Sequence, residues 1–272
     1  MRPGPSEAMN THCGWCRSRR PRTRMVPLIL WLIAITIVSF TIGFGIVIMT
    51  TGFPPSPGSF PTSENSVPID GAKEAGISLS IGTGEINIYG GTAENVLIDK
   101  TTTSLSPALE TTLVTGSGDR KFISMTGPEQ DNKTVLLLDS KRLWNAGITG
   151  QIPVALDVRL GAGHSTLNTG GLNFTALAIH TGAGTTDLDL SGYHGSDFTG
   201  TITNGFGDIS VRVPAGRNIR ITVLRGVGDI RTDGMKSDGD YYVTSGYIPS
   251  EPGTALWVEQ GVGTVRIVAV KS

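Results

Sequence analysis

The chain has 272 residues, a net charge of −1 and 37 glycines, which do not recur at every third position and so exclude collagen. Its only two cysteines, Cys13 and Cys16, precede the first apolar segment, so the remainder cannot be a disulfide-stapled scaffold. Residues 1–25 carry six arginines and one glutamate, which leaves a net charge of about −6 on the remainder and is typical of a membrane topology signal or a binding tail.

Residues 26–49 are 24 consecutive residues without a charge. A helix of this length reaches roughly 36 Å at about 1.5 Å per residue, more than the ~30 Å hydrocarbon core of a bilayer. The segment is too long for the apolar region of a cleaved signal peptide, so it predicts a retained transmembrane helix that has the lipid bilayer as its partner. The arginines before it predict a cytoplasmic tail over residues 1–25 and an extracytoplasmic C-terminal domain.

Cys13 and Cys16, with His12 beside them, are weak candidates for a metal site in this tail. A structural zinc site needs four ligands, and the tail supplies two or three. An unstructured tail is therefore the favoured interpretation, with metal binding, lipidation and redox chemistry as alternatives. Because topology accounts for the arginines, we expect no nucleic-acid partner.

Residues 50–70 are rich in Pro, Ser and Thr and predict an extended linker, and residues 71–272 predict the extracytoplasmic domain. A Gly-x-Gly pair recurs six times in that domain, and its four middle copies lie 21, 23 and 21 residues apart. The paired glycines are Gly82 and Gly84, Gly161 and Gly163, Gly182 and Gly184, Gly205 and Gly207, Gly226 and Gly228, and Gly261 and Gly263.

Apolar residues alternate with polar ones on both sides of each glycine pair, as in a half-buried β-strand. The two alternations are out of phase, so an unbroken strand would turn one apolar set toward solvent. We therefore expect each pair to form a bulge or corner that restores the inward direction and serves as a structural turn, without a ligand. One inward column would contain Val158, Ile179, Ile202 and Val223, and a second would contain Leu167, Leu188 and Val211.

These repeats predict an all-β domain, either a β-solenoid of stacked rungs or an antiparallel β-sandwich of hairpins. The runs IPVALDVRLGAGHSTLNTGG, NGFGDISVRVPAG and QGVGTVRIVAV resemble toast-rack-type domains. Such domains occur in Lia-type envelope-stress (cell-wall-active antibiotic response) membrane proteins and in adhesin-like β-solenoid families. The resemblance implies an extended β-domain attached to the membrane and, in some members, modulation of sensor kinases.

No spacing of His, Ser, Cys or acidic residues marks a catalytic or cofactor site, so we expect neither. Asp208 and Asp229 follow their glycine pairs directly and are best interpreted as exposed turn acids rather than calcium ligands. Asp187 and Asp189 lie on one strand face, as carboxylate pairs do in some sugar-cleaving enzymes.

Two sequons, at Asn132 and Asn173, are candidate glycosylation sites if the domain lies outside the cell. The sequence favours a membrane-anchored, non-catalytic surface protein, adhesin-like or envelope-sensing, that binds an envelope protein or polysaccharide. The alternatives are a polysaccharide-acting enzyme and a purely structural envelope protein.

Overall fold

Alternating apolar residues form β-strands throughout the described part of the chain, which comprises residues 62–92, 94–103, 111–117, 119–127 and 142–271 of a computed structural model. The strands are β1 (Thr62–Pro68), β2 (Glu74–Thr92), β3 (Asn95–Thr103), β4 (Thr111–Ser117), β5 (Arg120–Thr126), β6 (Arg142–Thr149), β7 (Val154–Asn168), β8 (Phe174–Asp189), β9 (Thr199–Pro214), β10 (Ile219–Val227), β11 (Ile230–Asp233), β12 (Lys236–Asp238), β13 (Tyr241–Val243), β14 (Thr254–Val262) and β15 (Val265–Val270). All fifteen belong to one mixed sheet, and these residues contain no helix.

The central strands β2, β7, β8 and β9 pair in parallel and in register. Each repeat therefore lies directly beside the next, with Val158 opposite Ile179 and Ile179 opposite Ile202. These side chains are at most 2% exposed, so they form a continuous core along the repeats. The predicted hairpin arrangement of a sandwich does not describe these strands, because hairpin neighbours are antiparallel.

Each central strand continues through its glycine pair. At the pair, the alternate residues that face the core change from one parity of residue number to the other. In β7 the buried residues before the pair are Val158 and Leu160, and those after it are Ser165 and Leu167. The second glycine of every pair has φ between +123° and +148°, a backbone conformation that L side chains rarely adopt. The sheet thus has two legs on either side of a glycine corner, and both legs face one core.

Buried polar side chains fill the inner side of this corner. The Asn204 amide donates a hydrogen bond to the Gly184 carbonyl at 2.9 Å, and the Gln260 amide donates one to the Gly207 carbonyl at 3.0 Å. Both side chains are at most 2% exposed. Each amide therefore ties its own rung to the second glycine of the neighbouring rung.

The spatial order of the rungs differs from their order in the chain. Strand β14 lies between β9 and β10, so Val258 separates Ile202 from Val223, which were predicted to be direct neighbours. In chain order, β10 and β11 of the outermost rung come first and the β12–β13 hairpin follows. Strands β14 and β15 come last and lie between that rung and β9. The second predicted column, which contains Leu167, Leu188 and Val211, is contiguous across β7, β8 and β9.

The first described strand corrects the predicted boundary between linker and domain. Strand β1 lies within residues 50–70 but pairs antiparallel with β3, and Val67, 7% exposed, packs into the core opposite Leu97. The backbone of Thr62–Pro68 pairs with β3 along its length, although the composition of the segment is that of a linker. The sheet therefore extends to Thr62 at least.

The predicted tail over residues 1–25, the predicted span over residues 26–49, the Cys13 and Cys16 pair and Asn132 lie outside the described residues. Within the described ranges there is no helix of the length and hydropathy needed to cross a membrane.

Candidate binding surface

Small side chains cover the outer face of the sheet leg that precedes the glycine corners. The outward residues of adjacent strands align in rows, and Gly76 lies opposite Ala155, Ala155 opposite Ala176, and Ala176 opposite Thr199. A second row continues through Ser78, Asp157, Ala178, Thr201 and Trp257. We call these two rows the small-residue face. Its short side chains leave the sheet surface open to close approach by a ligand.

The β4–β5 hairpin raises a wall along one side of the small-residue face. Strand β5 pairs in parallel with β2, which places Phe122 opposite Gly76. The Phe122 ring lies over Gly76 so closely that an added Cβ would be 2.7 Å from Cδ1 of the ring. Phe122 is 51% exposed and Leu113 of β4 is 59% exposed. The wall is therefore apolar and open to solvent.

Wall and face enclose a groove with a volume of about 630 Å³, within the range of ligand sites in proteins. Its walls include Leu113 and Phe122, and its floor includes Gly76, Ala155 and Ala176. Most of this lining is apolar. A groove of this composition suits an apolar or mixed segment of a ligand better than a highly charged one.

Polar groups stand along the edge of the groove nearest the glycine corner. The Arg159 guanidinium forms an ion pair with the Asp157 carboxylate at 3.0 Å, and His180 Nδ1 lies 2.7 Å from the Thr203 hydroxyl. The charges of Asp157 and Arg159 balance one another on an exposed surface, where such a pair contributes little to stability. These groups can orient a ligand through hydrogen bonds.

Trp257 marks the far end of the small-residue face and is 47% exposed. Five strand spacings separate it from Phe122, because β2, β7, β8 and β9 lie between β5 and β14. At about 4.8 Å per spacing the two aromatic rings bound a face roughly 24 Å long. That length accommodates an extended polymer segment rather than a single small molecule.

The acidic pair singled out in the sequence, Asp187 and Asp189, lies away from this groove, and each carboxylate has a basic side chain beside it. His164 Nε2 is 3.3 Å from the Asp187 carboxylate, and Arg212 is 3.6 Å from the Asp189 carboxylate. Asp208 and Asp229 are exposed and are separated by Thr264, whose amide donates to Asp208. The described ranges contain no group of three or more His, Cys, Asp or Glu residues that could hold a metal ion.

Two tyrosines have raised pKa values, and neither supplies an acid or base near neutral pH. Burial raises the pKa of Tyr193, whose hydroxyl donates to the Ser196 carbonyl at 2.7 Å and accepts from the Phe174 amide. The Asp238 carboxylate raises the pKa of Tyr241. Both shifts hold the phenols in their neutral form, which is a structural role.

Asn173, the candidate glycosylation site in the described part of the chain, lies in the turn between β7 and β8. Its carbonyl Oδ1 accepts a hydrogen bond from the Ser196 amide, and the neighbouring Phe174 is fully buried. The site is half-exposed at the end of a rung. Glycosylation at Asn173 stays a prediction.

Residues 56–212 match the family described as the N-terminal domain of toast_rack, DUF2154. The fold is similar to that of a "putative cell adhesion protein" from Clostridium sporogenes, with a TM-score of 0.73 and 24% identity over 78% of this chain and 100% of that chain. A "putative adhesin" from Bacteroides fragilis has 13% identity over 79% of this chain and 100% of that chain, with a TM-score of 0.29. No curated protein matches the chain significantly.

Proposed function

This chain belongs to the toast_rack N-terminal domain family, and on that premise we propose that it is a membrane-anchored, non-catalytic surface protein that binds another macromolecule. We further infer that its domain is a β-solenoid, because parallel rungs stacked in register offer broad, repetitive faces for such contacts. The observation that carries the proposal is the groove between Phe122, Leu113 and the small-residue face.

An extended polypeptide is the occupant that this groove favours. An extended peptide can bind by adding a strand to a sheet, and among the described strands β4 pairs with β5 alone. Leu113 and Val114, 59% and 44% exposed, offer apolar side chains on both faces of that edge. A polysaccharide would need more stacking rings than Phe122, the single Phe, Tyr or Trp among the residues that line the groove.

A catalytic role has little support in this geometry. A retaining sugar-cleaving enzyme needs two carboxyl groups about 5 Å apart beside its substrate. The groove contains Asp157 alone, and Arg159 neutralises it. We therefore propose a binding role, adhesive as in the description of the Clostridium sporogenes protein or sensing as in Lia-type envelope-stress proteins.

Replacing Phe122 with Ser is expected to weaken capture of the partner from envelope extract by about tenfold or more, because exposed aromatic anchors contribute most to such contacts. The matched control is Phe206→Ser, which removes a ring that is 63% exposed, against 51% for Phe122, from the glycine corner instead of the groove. The full chain, tagged at its C-terminus, is used in a pulldown with quantitative mass spectrometry. Equal capture by both variants would exclude the groove, and a partner that resists protease but not glycosidase would favour the polysaccharide alternative.

The proposed topology places the N-terminus inside the cell and the β-domain outside. Protease added to intact cells is then expected to digest a C-terminal tag almost completely, because the arginines of residues 1–25 stay cytoplasmic. A tag on the N-terminus serves as the control and should be protected. Full protection of the C-terminal tag would contradict the topology and the surface role together.

A further inference from the structure

On one of its two legs, the outermost rung of the domain ends directly in β11. Strand β10 is flanked by β14 and by the β13 strand of the β12–β13 hairpin, whereas β11 pairs with β15 alone. No other strand among the described residues pairs with β11. Within that part of the chain, the hairpin covers the first leg, and the second leg beside it has no covering strand.

The residue before the glycine pair also distinguishes this rung. In the inner rungs this position holds Leu160, Thr181, Asn204 and Gln260, which are at most 4% exposed. In the outermost rung it holds Arg225, which is exposed and donates to the Gly228 carbonyl. Val227 and Leu224, 70% and 52% exposed, flank it. This end of the stack therefore combines an edge that no described strand covers with exposed apolar side chains.

The backbone phase of β11 determines which peptide groups are unpaired. The Val265 amide donates to the Asp229 carbonyl at 2.9 Å, so the odd-numbered residues of β11 face β15. In a parallel pair the alternate residues direct their N–H and C=O groups to the other side. The peptide groups of Ile230 and Thr232 thus point to the outer edge of β11, where an additional strand can pair with them.

We propose that this edge pairs with the same edge of a second copy of this chain, antiparallel about a twofold axis at Thr232. Thr232 then exchanges both backbone hydrogen bonds with the partner's Thr232, and Ile230 lies opposite the partner's Gly234. On the outer face, Arg231 lies opposite the partner's Asp233, and Asp233 lies opposite the partner's Arg231. The edge is therefore complementary to itself in charge as well as in hydrogen bonding.

The alternating charges along this edge favour a second copy of the chain as its partner. Asp229, Arg231 and Asp233 all project from the outer face, and the Arg231 to Asp229 ion pair within the chain is long, at 3.9 Å, with both side chains more than 70% exposed. An isologous pair requires a patch that matches itself under twofold symmetry, and this sequence satisfies that condition. A strand of four residues is short, so the pairing is weak and depends on local concentration.

Disulfide cross-linking of the full chain in native membranes tests the proposal. With Cys13 and Cys16 replaced by Ser, Thr232→Cys places two thiols on the twofold axis. The Cα atoms of such a hydrogen-bonded pair lie about 5.5 Å apart, within the range that a disulfide spans. We expect a cross-linked dimer from Thr232→Cys. The matched control is Ser237→Cys, an exposed residue on the edge strand β12, which should not cross-link.

Charge reversal then tests the register. Arg231→Asp alone and Asp233→Arg alone each place like charges opposite one another, and each should lower the yield of the Thr232 disulfide about fivefold. The double variant exchanges the two charges and should restore the yield. Equal cross-linking at residues 232 and 237, no cross-linking at 232, or a double variant no better than either single one would overturn the proposal.

Discussion

Replacing Ile202 with Asp is expected to lower the free energy of unfolding of the β-domain by at least about 4 kcal/mol. Ile202 is fully buried in β9, between Ile179 on one neighbouring strand and Val258 on the other. The surrounding column is aliphatic, so a carboxylate there has neither a cation nor a donor. It must be protonated or drive the rung apart, and either outcome disrupts the stack on both sides.

The next residue supplies the control for this substitution. Thr203 faces outward, and its hydroxyl pairs with His180 Nδ1 at 2.7 Å. An Asp at this position can keep that hydrogen bond, so Thr203→Asp should change stability by less than about 0.5 kcal/mol. Urea unfolding of residues 59–272, the compact unit that contains every described strand, measures both. Equal tolerance of Asp at the two positions would contradict the inward column.

Strand type and the inward faces could be predicted from the sequence because each depends on a short local pattern. Leu167, Leu188 and Val211 repeat at a constant offset from a glycine pair, and the structure stacks them. The order of the rungs could not be predicted, since Val223 and Val258 occupy equivalent positions in their repeats. A strand of either repeat could pair with the edge of β9, and in the structure β14 occupies that position.

One residue did carry information about the outermost rung. Arg225 occupies the position that is buried as Thr181, Asn204 and Gln260 in other rungs. A charged side chain is stable there only where one neighbour is missing, so this Arg distinguishes a terminal rung from an inner one. The wall of the groove gave no such signal. Leu113 and Phe122 belong to a hairpin outside the repeats, and their proximity to Ala155 and Ala176 depends on the pairing of β5 with β2.

The second glycine of each pair is required for two separate reasons, its backbone conformation and its close approach to the neighbouring strand. Gly207 has φ of +123°, and a Cβ on it would lie 1.9 Å from the Gly184 carbonyl oxygen of the neighbouring rung. The first glycine, Gly205, has no positive φ, but its Cβ would still lie 2.5 Å from the Gly182 oxygen. Gly205→Val is therefore expected to destabilise the domain through the close approach of the neighbouring rung rather than through backbone strain.

Gly207→Ala is accordingly expected to destabilise the domain by about 3 kcal/mol or more, because one methyl group adds both backbone strain and a clash with a backbone atom that cannot move alone. Gly82→Ala is the matched control. Gly82 holds the first position of its own pair, has no positive φ, and an added Cβ would meet nothing within 4 Å. Its replacement should be neutral or stabilise by up to about 1 kcal/mol, since Ala lowers the entropy of the unfolded chain. Thermal and urea unfolding of residues 59–272 compare the two, and a Gly207→Ala domain as stable as Gly82→Ala would show that the rungs do not meet at this corner.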